Sequence, residues 1–399
     1  MTVPYTPCAD PGAAPPAASS TVGRLEELRF LMRSGRLRHW QRGVTETLVR
    51  AGLGGGLTVE EWAATPWYGP LEAWLAESST VSDILINGPG REITIVEQGQ
   101  RMASGVTLHE DWVSFVQRQL LLRSGLVTPD APDAWPGHAL IGTADKRLRF
   151  AITRPPASPA GPTLSLRILP RRWRSLDDLV IEGIIPRLAM DMLIEALRKG
   201  VTVLIAGGTG SGKTTLTAAL LQAIGEEKRV VCIEEARELP ELPDSVHLEV
   251  SRSGLTFAEC VRFALRQKPD LIVVGEVRGP EALAMLQAAA TGHPGIGTIH
   301  APDTQAALKN LERMACESGI PANIVRGMLT SSAVPLIVAH IGRYGGQRRV
   351  GLIEEVTVMG SGGQTGDKYT TNPLFVYHAQ TQHVQKAFPV QGEWGRGRF

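Results

Sequence analysis

The chain has 399 residues, a formal net charge of +1 and 43% hydrophobic residues. This length predicts two or more domains with apolar cores, and the small net charge disfavours the broad basic surface of many nucleic-acid-binding proteins. The 4 cysteines lie far apart and form no C-x-x-C pair, which disfavours a structural zinc site. No apolar run approaches the ~18 residues of a membrane-spanning helix. We therefore expect a soluble, cytoplasmic protein whose contact with a membrane is peripheral.

The composition changes several times along the first half of the chain. Residues 1–22 are rich in Pro, Ala and Ser and predict a disordered tail, while residues 23–57 predict a helical lead-in. Residues 58–170 indicate a smaller N-terminal α/β domain, with strands predicted in VSDILI, EITIVE, LRFAIT and TLSLRI. We interpret residues 171–185 as a linker.

Strand and helix patterns alternate from residue 186 to residue 358. This alternation predicts an α/β domain in which helices cover both faces of a parallel-rich sheet. Thr256 and Glu259 have the spacing of a capping box, and Asp303 suits the N-cap of a later helix. We interpret residues 359–399 as a C-terminal tail.

The segment VTVLIAGGTGSGKTTL places a glycine loop between a short apolar strand and a helix. It matches G-x-x-x-x-G-K-[ST], a pattern in which backbone N–H groups surround nucleotide phosphates. Lys213 is expected to reach the β- and γ-phosphates of ATP, and Thr214 to hold Mg²⁺. The strand and the helix disfavour the alternative of an ordinary glycine turn. The predicted nucleotide-binding residues are Gly207, Gly208, Thr209, Gly210, Ser211, Gly212, Lys213, Thr214 and Thr215.

A second motif, DLIVVGEVR, predicts an apolar strand that ends at a carboxylate. We expect this strand to lie beside the glycine-loop strand, with Glu276 at the sheet edge where a γ-phosphate would sit. A carboxylate there can polarise an attacking water, so Glu276 is the predicted catalytic base. The alternative is a solvated loop acid. Asp270 lies at the opposite end of the strand, and we interpret it as a structural cap.

Two further groups of polar residues follow apolar strands. Glu234 and Glu235 end the strand RVVCIE, and carboxylates facing a triphosphate indicate Mg²⁺ or a positioned water between them. Glu235 is therefore a candidate Mg²⁺ ligand beside Thr214, with an exposed acidic turn as the alternative. His300 ends the segment ATGHPGIGTIH, and we interpret it as a hydrogen-bonding sensor of the γ-phosphate or, alternatively, as a structural histidine.

These motifs, in their order and spacing, resemble those of the type II/type IV secretion ATPases over about residues 75–345. The segments that carry the resemblance are GGTGSGKTT, IEEAREL, LRQKPDLIVVGEVR and TGHPGIGTIH. The resemblance implies a RecA-like P-loop ATPase domain preceded by a smaller α/β domain, and roles for Arg167 and Arg278 at the nucleotide. The family's paired-cysteine insertion is absent, which favours the conjugal-transfer and Tad-pilus branch.

The resemblance also implies a function. It implies a homohexameric motor that hydrolyses ATP with Mg²⁺ and drives secretion, conjugation or pilus assembly through platform proteins at the inner membrane. One alternative is a RecA-like motor acting directly on nucleic acid, for which the segment RILPRRWR, with Trp173 among its arginines, is the supporting observation. Another alternative is a regulator that binds ATP without hydrolysing it.

Overall fold

The computed structural model describes residues 68, 71–75, 79–97, 99–108, 110–128, 135–170, 172–357 and 369–395. The chain divides into two compact units, residues 1–171 and 172–399. The predicted disordered tail (1–22) and helical lead-in (23–57) lie outside the described residues. Within the described ranges, no helix combines the length and the apolar character that a bilayer crossing requires.

The first unit contains an antiparallel sheet in the order β3-β2-β1-β6-β5-β4. Its helices are Glu72–Leu75 (α1) and Glu110–Ser124 (α2), and its strands are Val81–Ile86 (β1), Glu92–Glu97 (β2), Gln100–Thr107 (β3), Ala139–Ala144 (β4), Leu148–Thr153 (β5) and Thr163–Ile168 (β6). The strands predicted at β1, β2, β5 and β6 are confirmed. Helix α2 is buried on nearly all sides, including Gln117 and Gln119, so it lacks the one-sided apolar stripe by which a surface helix is recognised in a sequence.

The second unit is built on a larger sheet in the order β15-β14-β13-β12-β7-β11-β10-β8-β9. Its strands are Thr202–Ala206 (β7), Val230–Glu234 (β8), Ser245–Glu249 (β9), Leu271–Val274 (β10), Gly295–Ile299 (β11), Leu336–Tyr344 (β12), Gln347–Val356 (β13), Thr371–His378 (β14) and His383–Lys386 (β15). Strands β7 to β12 are all parallel to one another. Strands β13, β14 and β15 extend the sheet beyond β12 through antiparallel pairs.

Helices cover both faces of this sheet, as the alternating pattern predicted. The helices are Leu176–Ile181 (α3), Arg187–Arg198 (α4), Lys213–Ile224 (α5), Val250–Ser253 (α6), Phe257–Ala264 (α7), Glu281–Ala290 (α8), Thr304–Cys316 (α9) and Ala322–Leu329 (α10), with a 3₁₀ turn at Leu265–Gln267. Helices α3, α4 and α5 contribute to the core on one face, and α7 to α10 to the core on the other. The predicted α/β class with a parallel-rich P-loop domain is confirmed.

The order of the central strands differs from the prediction in one place. Strand β10 does not lie beside the glycine-loop strand β7, because β11 pairs with both and separates them. Gly295 and Gly297 allow this insertion: a Cβ atom at Gly295 would lie 2.8 Å from the carbonyl oxygen of Ile272, and one at Gly297 would lie 3.0 Å from Met285 Sδ. Glu276 therefore emerges one strand further from the glycine loop than expected.

The predicted helix caps are confirmed. Thr256 Oγ1 accepts a hydrogen bond from the backbone N–H of Glu259 at 3.2 Å, and the Glu259 carboxylate accepts one from the N–H of Thr256 at 2.8 Å. Asp303 caps α9 by accepting from the N–H of Ala306 at 2.7 Å. These caps could be predicted from the sequence because a cap depends on residues only three positions apart.

The described part of the segment after residue 368 is not a tail in structural terms. Leu374 and Phe375 of β14 are buried in the core of the second unit. The buried carboxylate of Glu355 accepts hydrogen bonds from the N–H groups of Gln391 and Gly392 at 2.9 Å and from the indole of Trp394 at 3.0 Å. The sheet thus continues beyond residue 358, which was the predicted end of the domain.

Candidate functional site

The glycine loop joins the end of β7 to the first turn of α5. Gly210 and Gly212 have φ angles of 67° and 107°, a region that glycine adopts without strain. Gly212 is the N-cap residue of α5. The loop therefore brings several backbone N–H groups and the positive end of the helix dipole to one place, which is the arrangement that binds phosphate.

Two of the loop glycines also pack closely against β12, and at Gly207 the contact leaves no room for a side chain. A Cβ atom at Gly207 would lie 2.3 Å from the carbonyl oxygen of Ile341 and 2.6 Å from Ser211 Oγ. One at Gly212 would lie 3.3 Å from Cδ1 of Ile341. Gly208 has no such neighbour, since nothing lies within 4 Å of a Cβ built there. The glycines of the motif therefore allow the loop to approach β12 as well as to surround a phosphate.

Lys213 is held inside the loop. Its ammonium group donates hydrogen bonds to the carbonyl oxygens of Gly207 and Gly208, each at 2.9 Å. Burial lowers the pKa of Lys213, and the negative charge of Glu276 partly opposes that effect. The side chain of Lys213 is therefore positioned by backbone carbonyls, which phosphate oxygens can replace as acceptors.

Glu276 and His300 meet Lys213 at the carboxyl ends of their strands. Nδ1 of His300 lies 3.3 Å from Nζ of Lys213, and Nε2 of His300 lies 2.9 Å from Oε1 of Glu276. With Lys213 donating to Nδ1, the ring proton lies on Nε2 and is donated to Glu276. Residues from three separate motifs thus form one hydrogen-bonded chain.

The charge of Glu276 is maintained by its neighbours. Burial, the largest influence, raises the pKa of the Glu276 carboxyl, but the hydrogen bond from Arg278 and the nearby positive charges together hold that pKa below its ordinary value. Arg278 is the ion-pair partner on the other carboxylate oxygen. Glu276 is consequently ionised near neutral pH, as a general base must be.

The loop that carries Glu276 is fixed by hydrogen bonds on both sides. Thr298 Oγ1 donates to the carbonyl oxygen of Gly275 at 2.6 Å. The buried carboxylate of Glu281 accepts from the N–H groups of Arg278 at 2.5 Å and Gly279 at 2.8 Å. Glu281 is not among the predicted site residues, although an acid in the first turn of a helix is a recognisable signal for such a role.

Glu234 and Glu235 have different environments although they are adjacent. Glu234 is buried, and its Oε1 accepts from the N–H groups of Glu238 and Leu239 at 2.8 and 2.9 Å. Its Oε2 lies 3.2 Å from Nδ1 of His247, a residue that nothing in the sequence pattern marked. The Glu234 carboxylate is therefore buried away from solvent and holds the turn after β8, which favours a positioning role over a catalytic one.

Glu235 is half-buried, directly follows β8, and lies near enough to Arg278 for its charge to act on that guanidinium. The pKa of Arg278 is raised by its hydrogen bond to Glu276 and, more weakly, by the charge of Glu235. Thr214 is the second residue of α5. A hydroxyl and a carboxylate suit Mg²⁺, which keeps several waters and needs only one or two protein ligands. No group of three or more His, Cys, Asp and Glu side chains suited to a metal occurs among the described residues.

The remaining predicted residues have contacts of their own. Asp270 accepts a hydrogen bond from the N–H of Arg229 at 2.8 Å, which agrees with its interpretation as a structural cap. Arg167 lies on β6 of the first unit, with Nε 3.0 Å from Oδ1 of Asp83. In the basic segment RILPRRWR, the partly buried Trp173 packs against the core and the exposed Arg174 pairs with Glu182.

Fold and loop together define a RecA-like P-loop domain, and comparison with known proteins identifies the family. The family model described as type II/IV secretion system protein matches residues 137–344. The chain belongs to this family, which confirms the resemblance drawn from the motifs.

Individual relatives agree with this assignment. Conjugal transfer protein TrbB of Rhizobium radiobacter is 31% identical over 294 residues, which cover 69% of this chain and 83% of the relative. A Mycobacterium tuberculosis H37Rv protein provisionally assigned to conjugal transfer is 33% identical over 292 residues, covering 71% of this chain and 82% of the relative. The X-ray structure of the Legionella pneumophila ATPase DotB superposes with a TM-score of 0.50 and 25% sequence identity. The match covers 73% of this chain and 81% of the DotB chain.

Proposed function

We propose that this protein is an ATP-hydrolysing homohexameric motor that powers a secretion, conjugation or pilus-assembly machine at the inner membrane. The observation that carries the proposal is the hydrogen-bonded chain of Lys213, His300 and Glu276 at the mouth of a phosphate-binding loop. A loop that merely binds nucleotide needs no ionised carboxylate there, whereas hydrolysis needs a base close to the terminal phosphate.

Binding would begin at the glycine loop. The N–H groups of the loop and the first turn of α5 would surround the phosphates, and Lys213 would exchange its carbonyl acceptors for β- and γ-phosphate oxygens. Thr214 and Glu235 are the residues that would hold Mg²⁺, directly or through water. When bound, Mg²⁺ neutralises charge on the β- and γ-phosphates.

Hydrolysis would depend on Glu276. Its ionised carboxylate can accept a proton from the attacking water, and help of this kind is typically worth ~10²–10⁴ in rate. His300 donates to Glu276 and approaches Lys213, so it would sense whether the lysine is engaged by phosphate. Arg278 holds the second carboxylate oxygen and fixes the direction of the base.

The motor function rests on family membership together with this site. A triphosphate can drive a conformational change only through its different affinities for two states of the protein. The family pattern supports Arg167 as a further nucleotide contact, a hexameric ring as the working assembly, and membrane platform proteins as the partners that receive the motion. Because several relatives are conjugal-transfer proteins, conjugation is the leading candidate among secretion, conjugation and pilus assembly.

The proposal is tested on the full-length purified chain. Light scattering after size exclusion, with and without Mg-ATP, measures the assembly, and a coupled assay measures phosphate release. We expect a hexamer in the presence of nucleotide and slow hydrolysis without the membrane partner. A protein that binds ATP but stays monomeric and releases no phosphate would instead be the ATP-sensing regulator.

A further inference from the structure

The hairpin of β12 and β13 has a basic tip. Its turn consists of Gly345 and Gly346, whose φ angles of 58° and 78° are both positive, as a type I′ turn requires. Tyr344 and Gln347 pair across the turn. Two-residue turns of this type match the twist of the flanking strands, so the two strands stay paired up to the turn.

This tip lies against the glycine loop at the N-terminus of α5. A Cβ atom at Gly212 would lie 3.2 Å from Cδ and 3.9 Å from Nε of Arg348. The side chain of Arg348 therefore crosses the N-cap residue of the helix whose first turn receives phosphate. Arg348 is exposed, so its guanidinium is open to a ligand.

The charges at the tip are not compensated within the described residues. Arg343 and Arg348 are direct partners across the two strands, and like charges in that arrangement repel. Among the described ranges, neither arginine has an acidic partner, and Arg343 only reaches the carbonyl oxygen of Gly346 at 3.4 Å. Two adjacent cations beside a phosphate loop favour an anionic ligand at this position.

The sheet order indicates which part of a nucleotide would reach the tip. Glu276 and His300 follow β10 and β11, which lie on one side of β7, whereas β12 and β13 lie on its other side. A γ-phosphate near Glu276 would thus leave the α-phosphate and the nucleoside directed toward the hairpin. The triphosphate would extend in that direction because hydrolysis requires its γ-phosphate to lie near Glu276, the proposed base.

We propose that Arg348, with Arg343 beside it, binds the α-phosphate of a nucleoside di- or triphosphate held in the glycine loop of the same chain. This inference rests on the proposed nucleotide-binding function. It adds a contact on the α-phosphate side of the site, opposite the γ-phosphate where hydrolysis would occur. It assigns the β12–β13 hairpin as a nucleotide-binding element.

The test compares affinities for ADP, ATP and inorganic pyrophosphate by isothermal titration calorimetry on the full-length chain. Arg348→Ala should weaken ADP and ATP alike by about tenfold, because a charged hydrogen bond is lost that does not involve the γ-phosphate. Pyrophosphate, which lacks an α-phosphate and a nucleoside, should bind as in the wild type. The loss for ADP should shrink at high salt, and Arg348→Lys should recover part of the affinity.

Arg313→Ala is the charge-matched control, because Arg313 is an exposed arginine on α9 that pairs with Glu317. It should leave all three affinities unchanged. Unchanged ADP affinity in a folded Arg348→Ala or Arg348→Gln protein would overturn the inference. An equal loss for pyrophosphate, or a loss insensitive to salt, would also overturn it by assigning Arg348 to the β-phosphate or to the base. A wild-type chain that binds no nucleotide would instead refute the proposed function itself.

Discussion

Nε2 of His300 lies 2.9 Å from Oε1 of Glu276, so the histidine at the end of β11 and the acid that follows β10 form a hydrogen-bonded pair. The other ring nitrogen of His300 lies 3.3 Å from Nζ of Lys213. The histidine therefore connects the residue that should bind the terminal phosphate with the residue that should activate water. This connection gives a physical basis for a sensor role.

His300→Ala should lower kcat for ATP hydrolysis and leave the affinity for ADP nearly unchanged. Loss of a hydrogen bond to a charged group costs about 1.5–3 kcal/mol, which corresponds to a fall in kcat of about tenfold to 100-fold. His293→Ala is a control from the same motif, since Nδ1 of His293 lies 3.3 Å from Thr291 Oγ1 and His293 makes no other side-chain hydrogen bond within the described residues. Steady-state kinetics measure both variants, and equal effects on kcat would argue against the connection.

Gly207→Ala should destabilise the second unit, whereas Gly208→Ala should not. The new methyl group at Gly207 would overlap the carbonyl oxygen of Ile341 at 2.3 Å, while the position at Gly208 is open. Overpacking of this kind costs about 1–3 kcal/mol or more. Urea denaturation of the two variants measures the difference, and equal midpoints would show that β12 does not constrain the loop.

Truncation after residue 358 should prevent cooperative folding of the second unit. It removes β14 and β15 and the buried side chains of Leu374 and Phe375, and it leaves the edge of β13 unpaired. Each large apolar side chain contributes about 1.5–3 kcal/mol when buried. Thermal unfolding of the truncated chain is compared with a chain that lacks only residues 396–399. A truncated protein that unfolds at the same temperature as this control would contradict the prediction.

The stability of the second unit should fall as the pH drops below about 6.5. Burial lowers the pKa of His340, while Asp303 and a hydrogen bond to Ala301 partly oppose the shift, and Nδ1 lies 2.6 Å from the Tyr344 hydroxyl. A pKa lowered in the folded state means that the unfolded chain binds more protons in this range. The stabilisation is therefore complete above the unfolded pKa and is lost as the pH falls through the folded one.

His340→Gln checks this assignment because glutamine can hydrogen-bond to Tyr344 but does not titrate. Free energies of unfolding at pH 7.5 and 5.5 should differ less in the variant than in the wild type. An identical difference in both proteins would show that another group carries the pH dependence.

The residues of the glycine loop could be predicted from the sequence because their roles depend on a few consecutive positions. The caps at Thr256 and Asp303 could be predicted for the same reason. The insertion of β11 between β7 and β10 could not, since the order of strands along the chain does not determine their order in a parallel sheet. The burial of Glu234 against His247 was equally inaccessible, because it depends on the pairing of β8 with β9.

Glu276 is the residue on which the proposed activity depends most. The pKa of its carboxyl is raised by burial but held below the ordinary value by Arg278 and the other nearby cations, so it is available as a base at neutral pH. Glu276→Gln keeps the size of the side chain and removes that capacity. The variant should therefore retain the affinity for ATP and lose turnover.

The most direct test is phosphate release from Mg-ATP by the full-length wild type and by Glu276→Gln, with ATP binding measured in parallel. We expect the wild type to release phosphate and the variant to be slower by about 10²–10⁴ while it binds ATP with similar affinity. Equal rates in the two proteins, or a wild type that binds ATP and releases no phosphate, would contradict it.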